Sequence, residues 1–250
     1  MTGFSNRTIL ITGAASGMGR SHAELFGARG GHVIVHDVNA DGVAATVKAI
    51  RDAGGKAVEM VADIRDLPAF RIALAGAVKS AGDVDILVNN AGVTGAKKSI
   101  EQIDEAYWDD FMAVHVRGAF FATQAVLPAM KAKRYGRIVN ISSQWGLAGS
   151  PFASQYAGAK AALIGYTKAW AKELASFGIT VNSVAPGYIL TPMTMSSRTR
   201  PEDYAERLRP IPLGRAGEPI DISYAVAWLA SDEAAFVTGH VLNSSGGEVI

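Results

Sequence analysis

Two polar side chains one helical turn apart indicate acid–base chemistry. Tyr156 and Lys160 are spaced i, i+4, so both lie on one face of a helix. A tyrosine hydroxyl has a reference pKa of about 10, and a neighbouring ammonium lowers that pKa by stabilising the phenolate. Upstream, a strand-like run ends at Ser142 and Ser143, either of which could hold a substrate oxygen. These residues predict a hydride-transfer site, although the spacing alone also occurs on solvated helix faces.

A glycine-rich turn near the N-terminus predicts a dinucleotide site. The apolar run 8–11 leads into the turn, which opens a helical stretch to about Arg29. Glycines let the main chain approach a pyrophosphate, whose charge is stabilised at the helix N-terminus. A second apolar strand, 33–35, runs out at His36 and Asp37, and this acid is placed to accept hydrogen bonds from ribose hydroxyls and to repel a 2′-phosphate. The candidate contacts here are Gly13, Ser16, Gly17, Met18, Gly19, Asp37 and Val38.

Six motifs occur in the order found in the short-chain dehydrogenase/reductase superfamily, each at a predicted strand end. They are Thr12-Gly-x-x-x-Gly17-x-Gly19, Asp63, Asn89-Asn-Ala-Gly92, Ser143, Tyr156-x-x-x-Lys160 and Pro186-Gly187. The chain resembles the compact form of this superfamily, of about 250 residues, over essentially its whole length. The resemblance implies a nicotinamide-dependent oxidoreductase.

The resemblance also implies catalytic roles. Tyr156 would be the acid/base, Lys160 would lower its pKa and bind the nicotinamide ribose, and Ser143 would orient the substrate oxygen. Ser143 is preferred to Ser142 because the family's catalytic serine lies thirteen residues before its tyrosine. His115 stands where the family has an asparagine that completes a proton relay. Two interpretations stay open for it, a histidine accommodated in a helix bend with no role of its own and a titrating member of the relay.

Cofactor contacts and preference follow from the same resemblance. Asp63 and Ile64 would meet the adenine, and Ser16 and Val38 stand where NADP-preferring relatives have Arg or Lys. Together with Asp37, this predicts NAD rather than NADP. The remaining contacts, to the adenosine ribose and the nicotinamide carboxamide, are expected from Asn90, Ala91, Gly92, Pro186, Gly187, Ile189 and Thr191.

The substrate is less well defined by the sequence. Arg198 and Arg200 leave an anionic substrate open, although no Arg or Lys directly adjoins the candidate substrate residues. We expect an NAD-dependent dehydrogenase of secondary alcohols or polyols. The alternatives are a 3-oxoacyl thioester reductase and a non-catalytic dinucleotide-sensing or scaffold protein. The candidate substrate residues are Gln144, Trp145, Phe152, Gln155, Tyr188 and Met193, with Leu147, Met195 and Tyr204 nearby.

Composition and periodicity predict one α/β domain over residues 1–250. The chain has 49% hydrophobic residues and 27 Gly, and apolar strands alternate with helical stretches, as in a Rossmann fold with a doubly wound parallel sheet. A proline-punctuated segment at about 188–213 is expected to form a substrate lid. The seven predicted strands are 7–12, 33–36, 57–62, 85–89, 137–142, 179–185 and 240–243.

Charge and composition also limit the partners. A formal net charge of +1 gives no electrostatic reason to expect nucleic acid or membrane binding. The absence of cysteine excludes disulfides, thiolate catalysis and cysteine-ligated metals, and no metal site is expected. No apolar run of signal-peptide or membrane-span length is present, so a cytoplasmic protein is expected. Helices predicted at about 105–130 and 154–177 carry apolar residues around much of their circumference, which predicts a homotetramer.

Overall fold

Seven parallel strands form one sheet in the computed structural model, which describes residues 3–195 and 201–250. The order in the sheet is β3-β2-β1-β4-β5-β6-β7. All seven predicted strands are confirmed, and no strand end differs from the prediction by more than one residue. The strands are β1 Thr8–Thr12, β2 His32–Asp37, β3 Lys56–Val61, β4 Ile86–Asn89, β5 Gly136–Ile141, β6 Ile179–Pro186 and β7 Val241–Ser244.

Helices cover both faces of the sheet, so the central strands are buried and consist mainly of apolar residues. Every residue of β1, β4 and β5 is buried. One apolar core lies around Phe26 and Ile222, and the other lies around Phe70 and Met130. The helices are α1 Gly17–Ala28, α2 Ala40–Asp52, α3 Leu67–Ala81, α4 Glu105–Met112, α5 Ala119–Lys133, α6 Gln144–Ala148, α7 Ser154–Leu174, α8 Pro192–Met195, α9 Pro201–Leu208 and α10 Pro219–Leu229.

The long helix predicted at about 105–130 is interrupted. A π-helical turn, Ala113–Gly118, joins α4 to α5. Gly118 in this turn packs so closely on Ile64 that a Cβ would come within 2.9 Å of the isoleucine side chain. The turn also places His115 inside the protein, where it is 2% exposed. Such turns are commonly found at functional sites, and this one lies beside the predicted catalytic helix.

The order of strands reverses between β1 and β4. The connections after β1 and β4 therefore diverge and leave a crevice at the carboxyl edge of the sheet, which is where ligands bind in this type of fold. The predicted lid contributes α8 and α9 above this edge, whereas Arg198 and Arg200 lie outside the described residues. Within the described part of the chain, no helix has the length and apolar character needed to cross a membrane.

Candidate active site

The predicted catalytic residues meet at the ends of β5 and α7. Ser143 follows β5 as the N-cap of α6, and its Oγ accepts a hydrogen bond from the Trp145 amide at 3.2 Å. The Ser143 hydroxyl is also hydrogen-bonded to the Tyr156 hydroxyl. Lys160, one turn further along α7, is buried, and its Nζ lies 5.6 Å from the centroid of the Tyr156 ring. The structure therefore brings Ser143, Tyr156 and Lys160 together.

The electrostatics of this group differ from the prediction. Desolvation by the surrounding protein raises the pKa of Tyr156, and the hydrogen bond from Ser143 offsets this effect only in part. The Lys160 ammonium donates to the Ile141 carbonyl at 2.8 Å. Burial lowers the pKa of Lys160 to about 8. In this structure desolvation outweighs Lys160, whose hydrogen bond goes to the main chain, so the sign of the Tyr156 pKa shift differs from the expected one; stabilisation of the phenolate by Lys160 stays a prediction.

Ser142 and Ser143 have separate tasks. The Ser142 hydroxyl is buried and donates to the Lys160 carbonyl at 2.8 Å, so it fastens the end of β5 to α7. Ser143 instead faces the cavity that Tyr156 lines. Its hydroxyl is therefore the one that can reach a substrate, in agreement with the preference for Ser143.

His115 is a neutral, buried contact rather than a titrating group. Burial, reinforced by the nearby charge of Lys160, lowers the pKa of His115 to about 3. Its Nε2 lies 3.2 Å from the Val93 nitrogen and 3.0 Å from the Val93 oxygen. The ring stacks on Phe111 and meets Tyr156 edge-on, with centroids 5.4 Å apart in both pairs. The geometry does not support a charge change near neutral pH, and it places His115 between the β4 loop and the tyrosine.

The glycine-rich turn has the close packing that a dinucleotide site needs. A Cβ on Gly19 would lie 2.0 Å from the Gly13 oxygen, so no larger residue fits there. Ser16 is exposed as the N-cap of α1 and makes no capping bond with its side chain. The first amides of α1 and this hydroxyl thus face outward at a helix N-terminus, where a pyrophosphate is stabilised. These residues fit the diphosphate of NAD.

Asp37 is held against this turn. One carboxylate oxygen accepts from the Ala15 amide at 3.1 Å, and the other accepts from the Asn39 amide at 3.0 Å. Burial lowers the pKa of the preceding His36 to about 4, so it is neutral at pH 7 and offers no charge to a 2′-phosphate. Val38 is 63% exposed beside the carboxylate. The position fits a ribose with free hydroxyls.

Three other predicted cofactor contacts already have protein partners. The Asp63 carboxylate is bound by Arg65 at 2.8 Å, which lowers the pKa of Asp63. Ile64 is buried against the π-helical turn. Asn90 donates to the Thr12 and Gly13 carbonyls at 2.9 and 3.0 Å, so its side chain shapes the glycine-rich turn. Adenine contact by the first two residues stays a prediction, and Asn90 acts through the turn.

The rest of the predicted cofactor set also lies at the carboxyl edge of the sheet. Gly17 faces Thr191, since a Cβ on the glycine would lie 3.4 Å from the Thr191 Cβ. The glycine-rich turn and the segment after β6, which were expected to bind different parts of the cofactor, are therefore adjacent. The other members follow β1, β4 or β6 and are Met18, Ala91, Gly92, Pro186, Gly187 and Ile189.

A cavity of about 800 Å³ opens beside Ser143 and Tyr156. The oxygens Oε1 of Gln144 and Gln155 are buried and have no hydrogen-bond partner among the described residues. Phe152 is 58% exposed, and its φ of 59° is a left-handed conformation that bulky residues rarely adopt. All six candidate substrate residues line the cavity, namely Gln144, Trp145, Phe152, Gln155, Tyr188 and Met193.

Other residues of the cavity wall were not predicted. The loop 94–97 after β4 and Phe111 of α4 form one part of the wall, and Arg207 of α9 forms another. The position of Asn89-Asn-Ala-Gly92 at the carboxyl end of a strand could have indicated the loop. No local signal indicated Arg207, because its place depends on how the lid folds over the sheet.

Known proteins resemble this chain over almost its whole length. Residues 13–248 match the family described as Enoyl-(Acyl carrier protein) reductase. The 3-oxoacyl-[acyl-carrier-protein] reductase FabG of Thermotoga maritima is 41% identical over 98% of both chains, and the cyclopentanol dehydrogenase of Comamonas testosteroni is 39% identical over 97% of both. A 3-oxoacyl-[acyl-carrier protein] reductase from Brucella melitensis with bound NAD has a TM-score of 0.89 and 35% identity, over 97% of this chain and 91% of that one.

The fold, the glycine-rich turn and the Ser143, Tyr156 and Lys160 group define a dinucleotide-binding oxidoreductase. The chain belongs to the short-chain dehydrogenase/reductase superfamily.

Proposed function

We propose that the protein is an NAD-dependent oxidoreductase that interconverts a secondary alcohol or polyol hydroxyl and the corresponding ketone. The observation that carries this proposal is the meeting of Ser143, Tyr156 and Lys160 beside a cavity of about 800 Å³. The wall of this cavity combines aromatic side chains with the amide residues Gln144 and Gln155, so it favours a small substrate that has both an apolar body and hydroxyl groups.

Tyr156 would move the proton. In the oxidation direction its deprotonated oxygen takes the proton of the substrate hydroxyl, while the hydrogen on the carbinol carbon leaves as hydride. Ser143 would donate to or accept from the same substrate oxygen and hold it beside Tyr156. When bound, NAD supplies the hydride acceptor, and the reduced form supplies the donor. Lys160 would add positive charge near the phenolate and reach the nicotinamide ribose.

The preference for NAD would come from the end of β2. Asp37 presents a carboxylate that two main-chain amides hold in place, and a carboxylate accepts hydrogen bonds from ribose hydroxyls but repels a phosphate. Neither His36, which is neutral, nor Val38 offers compensating positive charge. The groups that would hold the diphosphate are the main chain of the glycine-rich turn and the Ser16 hydroxyl.

A second candidate is reduction of a 3-oxoacyl thioester. The 41% identity to a 3-oxoacyl-[acyl-carrier-protein] reductase favours it, and the proton chemistry would be the same. The feature that favours the first candidate over it is Asp37, because such thioester reductases normally use NADPH and a carboxylate at this position repels a 2′-phosphate. The complete Ser143, Tyr156 and Lys160 group argues against a non-catalytic dinucleotide sensor or scaffold.

A cofactor absorbance assay separates these candidates. Purified protein would be tested with NAD and NADP against secondary alcohols, diols and polyols, and with the reduced cofactors against ketones and a 3-oxoacyl thioester. We expect faster turnover of hydroxylated substrates with NAD than with NADP. Reduction of the thioester alone would select the second candidate, and cofactor binding without any turnover would favour the sensor.

Self-association into a homotetramer is part of the proposal. On α5, Phe120 is 37% exposed and contacts Tyr166 and Trp170 of α7 at centroid distances of 5.6 and 5.7 Å. These aromatic rings, of which Phe120 is exposed and the other two are partly buried, adjoin a row of exposed small residues that would let a second helix approach closely. Multi-angle light scattering should give four times the chain mass, and a stable monomer at micromolar concentration would contradict the proposal. The small residues are Ala161, Gly165 and Ala169.

A further inference from the structure

An ion pair lies in the wall of the substrate cavity. Arg207 of α9 lines the cavity, and its two terminal nitrogens donate to the two carboxylate oxygens of Glu248 at 2.7 and 3.0 Å. The side chains are only 18% and 14% exposed. The pair joins residues 41 positions apart and brings the last residues of the chain to the lid.

Arg207 is fixed from a second side. Its guanidinium carbon lies 4.9 Å from the centroid of the Tyr188 ring, which also lines the cavity. A guanidinium held by a bidentate carboxylate and stacked on an aromatic ring loses little entropy when it binds a further group. Glu248 uses two of the five N–H donors of Arg207. Among the described residues, the other three make no further hydrogen bond, so they are available to a substrate that enters the cavity.

The pair sets the charge of this wall. A lone buried guanidinium would attract a carboxylate, but the bidentate Glu248 neutralises Arg207. The other charged residues of the described cavity wall are Lys97 and Glu206, which are both exposed and of opposite sign. The described wall therefore has no net charge, and an anionic substrate placed beside Arg207 would also lie near the carboxylate of Glu248.

We propose that Arg207, neutralised by Glu248, is a specificity-determining residue that hydrogen-bonds an uncharged oxygen of the substrate and disfavours substrates that carry a carboxylate. This inference rests on the proposed function and narrows its substrate class to neutral oxygenated alcohols and ketones. Arg207 would bind an oxygen other than the one held by Ser143 and Tyr156, so two oxygens of one substrate would be recognised.

A matched pair of ketones tests the proposal. Acetoacetate and methyl acetoacetate share a carbon skeleton and differ in the charge of the acid group. The parent enzyme should reduce the ester with a kcat/KM at least about tenfold higher than that of the anion. Glu248→Gln keeps the shape of the side chain but leaves the charge of Arg207 uncompensated. It should therefore lower the ratio of kcat/KM for the ester to kcat/KM for the anion by about tenfold. Arg207→Gln should raise this ratio, because it leaves Glu248 charged.

The control is Asp52→Asn, which makes the same charge change in an exposed ion pair with Lys48 on α2. It should leave the ratio at the parent value. If Arg207 and Glu248 only fasten α9, both ketones lose activity in proportion and the ratio stays constant, which would overturn the proposal. A parent enzyme that prefers acetoacetate overturns it without any variant, even if Glu248→Gln fails to fold.

Failure of the proposed function gives a different result. If no alcohol or ketone is turned over, the proposed function fails. The preference between methyl acetoacetate and acetoacetate is then measured by calorimetry, as the ratio of their dissociation constants in the parent and in Glu248→Gln. With turnover but an unchanged ratio in Glu248→Gln, only the assignment of Arg207 and Glu248 fails.

Discussion

Lys160→Met should stabilise the folded protein at pH 7 while it removes the activity. Lys160 is 4% exposed, and desolvation lowers its pKa from 10.5 to about 8. At neutral pH the folded protein therefore holds a charged ammonium that the unfolded chain would solvate better. Methionine has a similar length and needs no proton, so the substitution removes this penalty.

The size of the effect follows from the change in pKa. One pKa unit corresponds to about 1.4 kcal/mol, so a decrease from 10.5 to about 8 destabilises the fold by about 3 kcal/mol at pH 7. The variant also loses the hydrogen bond from Nζ to the Ile141 carbonyl, 2.8 Å long, which contributes about 1 kcal/mol. A net stabilisation of about 2 kcal/mol is expected.

The pH dependence has a definite sign. The pKa of Lys160 is lower in the folded protein than in the unfolded chain, so Lys160 is protonated in both below pH 8. The full destabilisation by its buried charge is therefore present below that pH. Between about 8 and 10.5 only the unfolded state binds the proton, so the free energy of unfolding of the parent rises relative to the variant. At pH 9.5 the penalty falls to about 1 kcal/mol, and the advantage of the variant should nearly vanish.

The assay is urea unfolding of parent and variant at pH 7 and pH 9.5, at one protein concentration because association adds to stability. When the free energies of unfolding of parent and variant are subtracted, the contributions of groups that titrate in both proteins cancel. Lys172→Met, an exposed lysine on the same helix, is the control and should show no such pH dependence. A Lys160→Met protein that is less stable than the parent at pH 7, or a difference independent of pH, would refute the inferred burial penalty.

Three further substitutions test the site. Tyr156→Phe should abolish turnover and leave NAD binding nearly intact, and substantial alcohol oxidation by this variant would show that another group carries the proton. Asp37→Ala should move the ratio of kcat/KM for NAD and NADP toward NADP, because it removes the carboxylate that the Ala15 amide holds against the turn; an unchanged ratio contradicts the assignment. His115→Asn should leave the pH profile of activity between pH 5 and 9 unchanged, because the pKa of His115 is about 3 and its ring nitrogen contacts the Val93 main chain. Loss of an ionisation from that profile in the variant would show that His115 titrates in the parent.

Features that depend on neighbouring residues in the chain could be predicted from the sequence. A strand buried on both faces is usually a largely apolar run, so β1 and β4 are recognisable without a structure. The glycine-rich turn is likewise local, since Gly19 packs on the main chain of Gly13 only six residues earlier. The spacing of Tyr156 and Lys160 on one helix is local in the same sense.

Features that depend on distant contacts were decided by the tertiary structure. The sign of the Tyr156 pKa shift depends on how completely the surrounding segments exclude water, and no spacing encodes that. The spacing to Tyr156 already favoured Ser143, but the separate role of Ser142 depends on its hydrogen bond to the Lys160 carbonyl, across 18 positions. Arg207 enters the cavity wall because Glu248 and Tyr188 hold it there, and only the folding of the lid over the carboxyl edge of the sheet brings these three residues together.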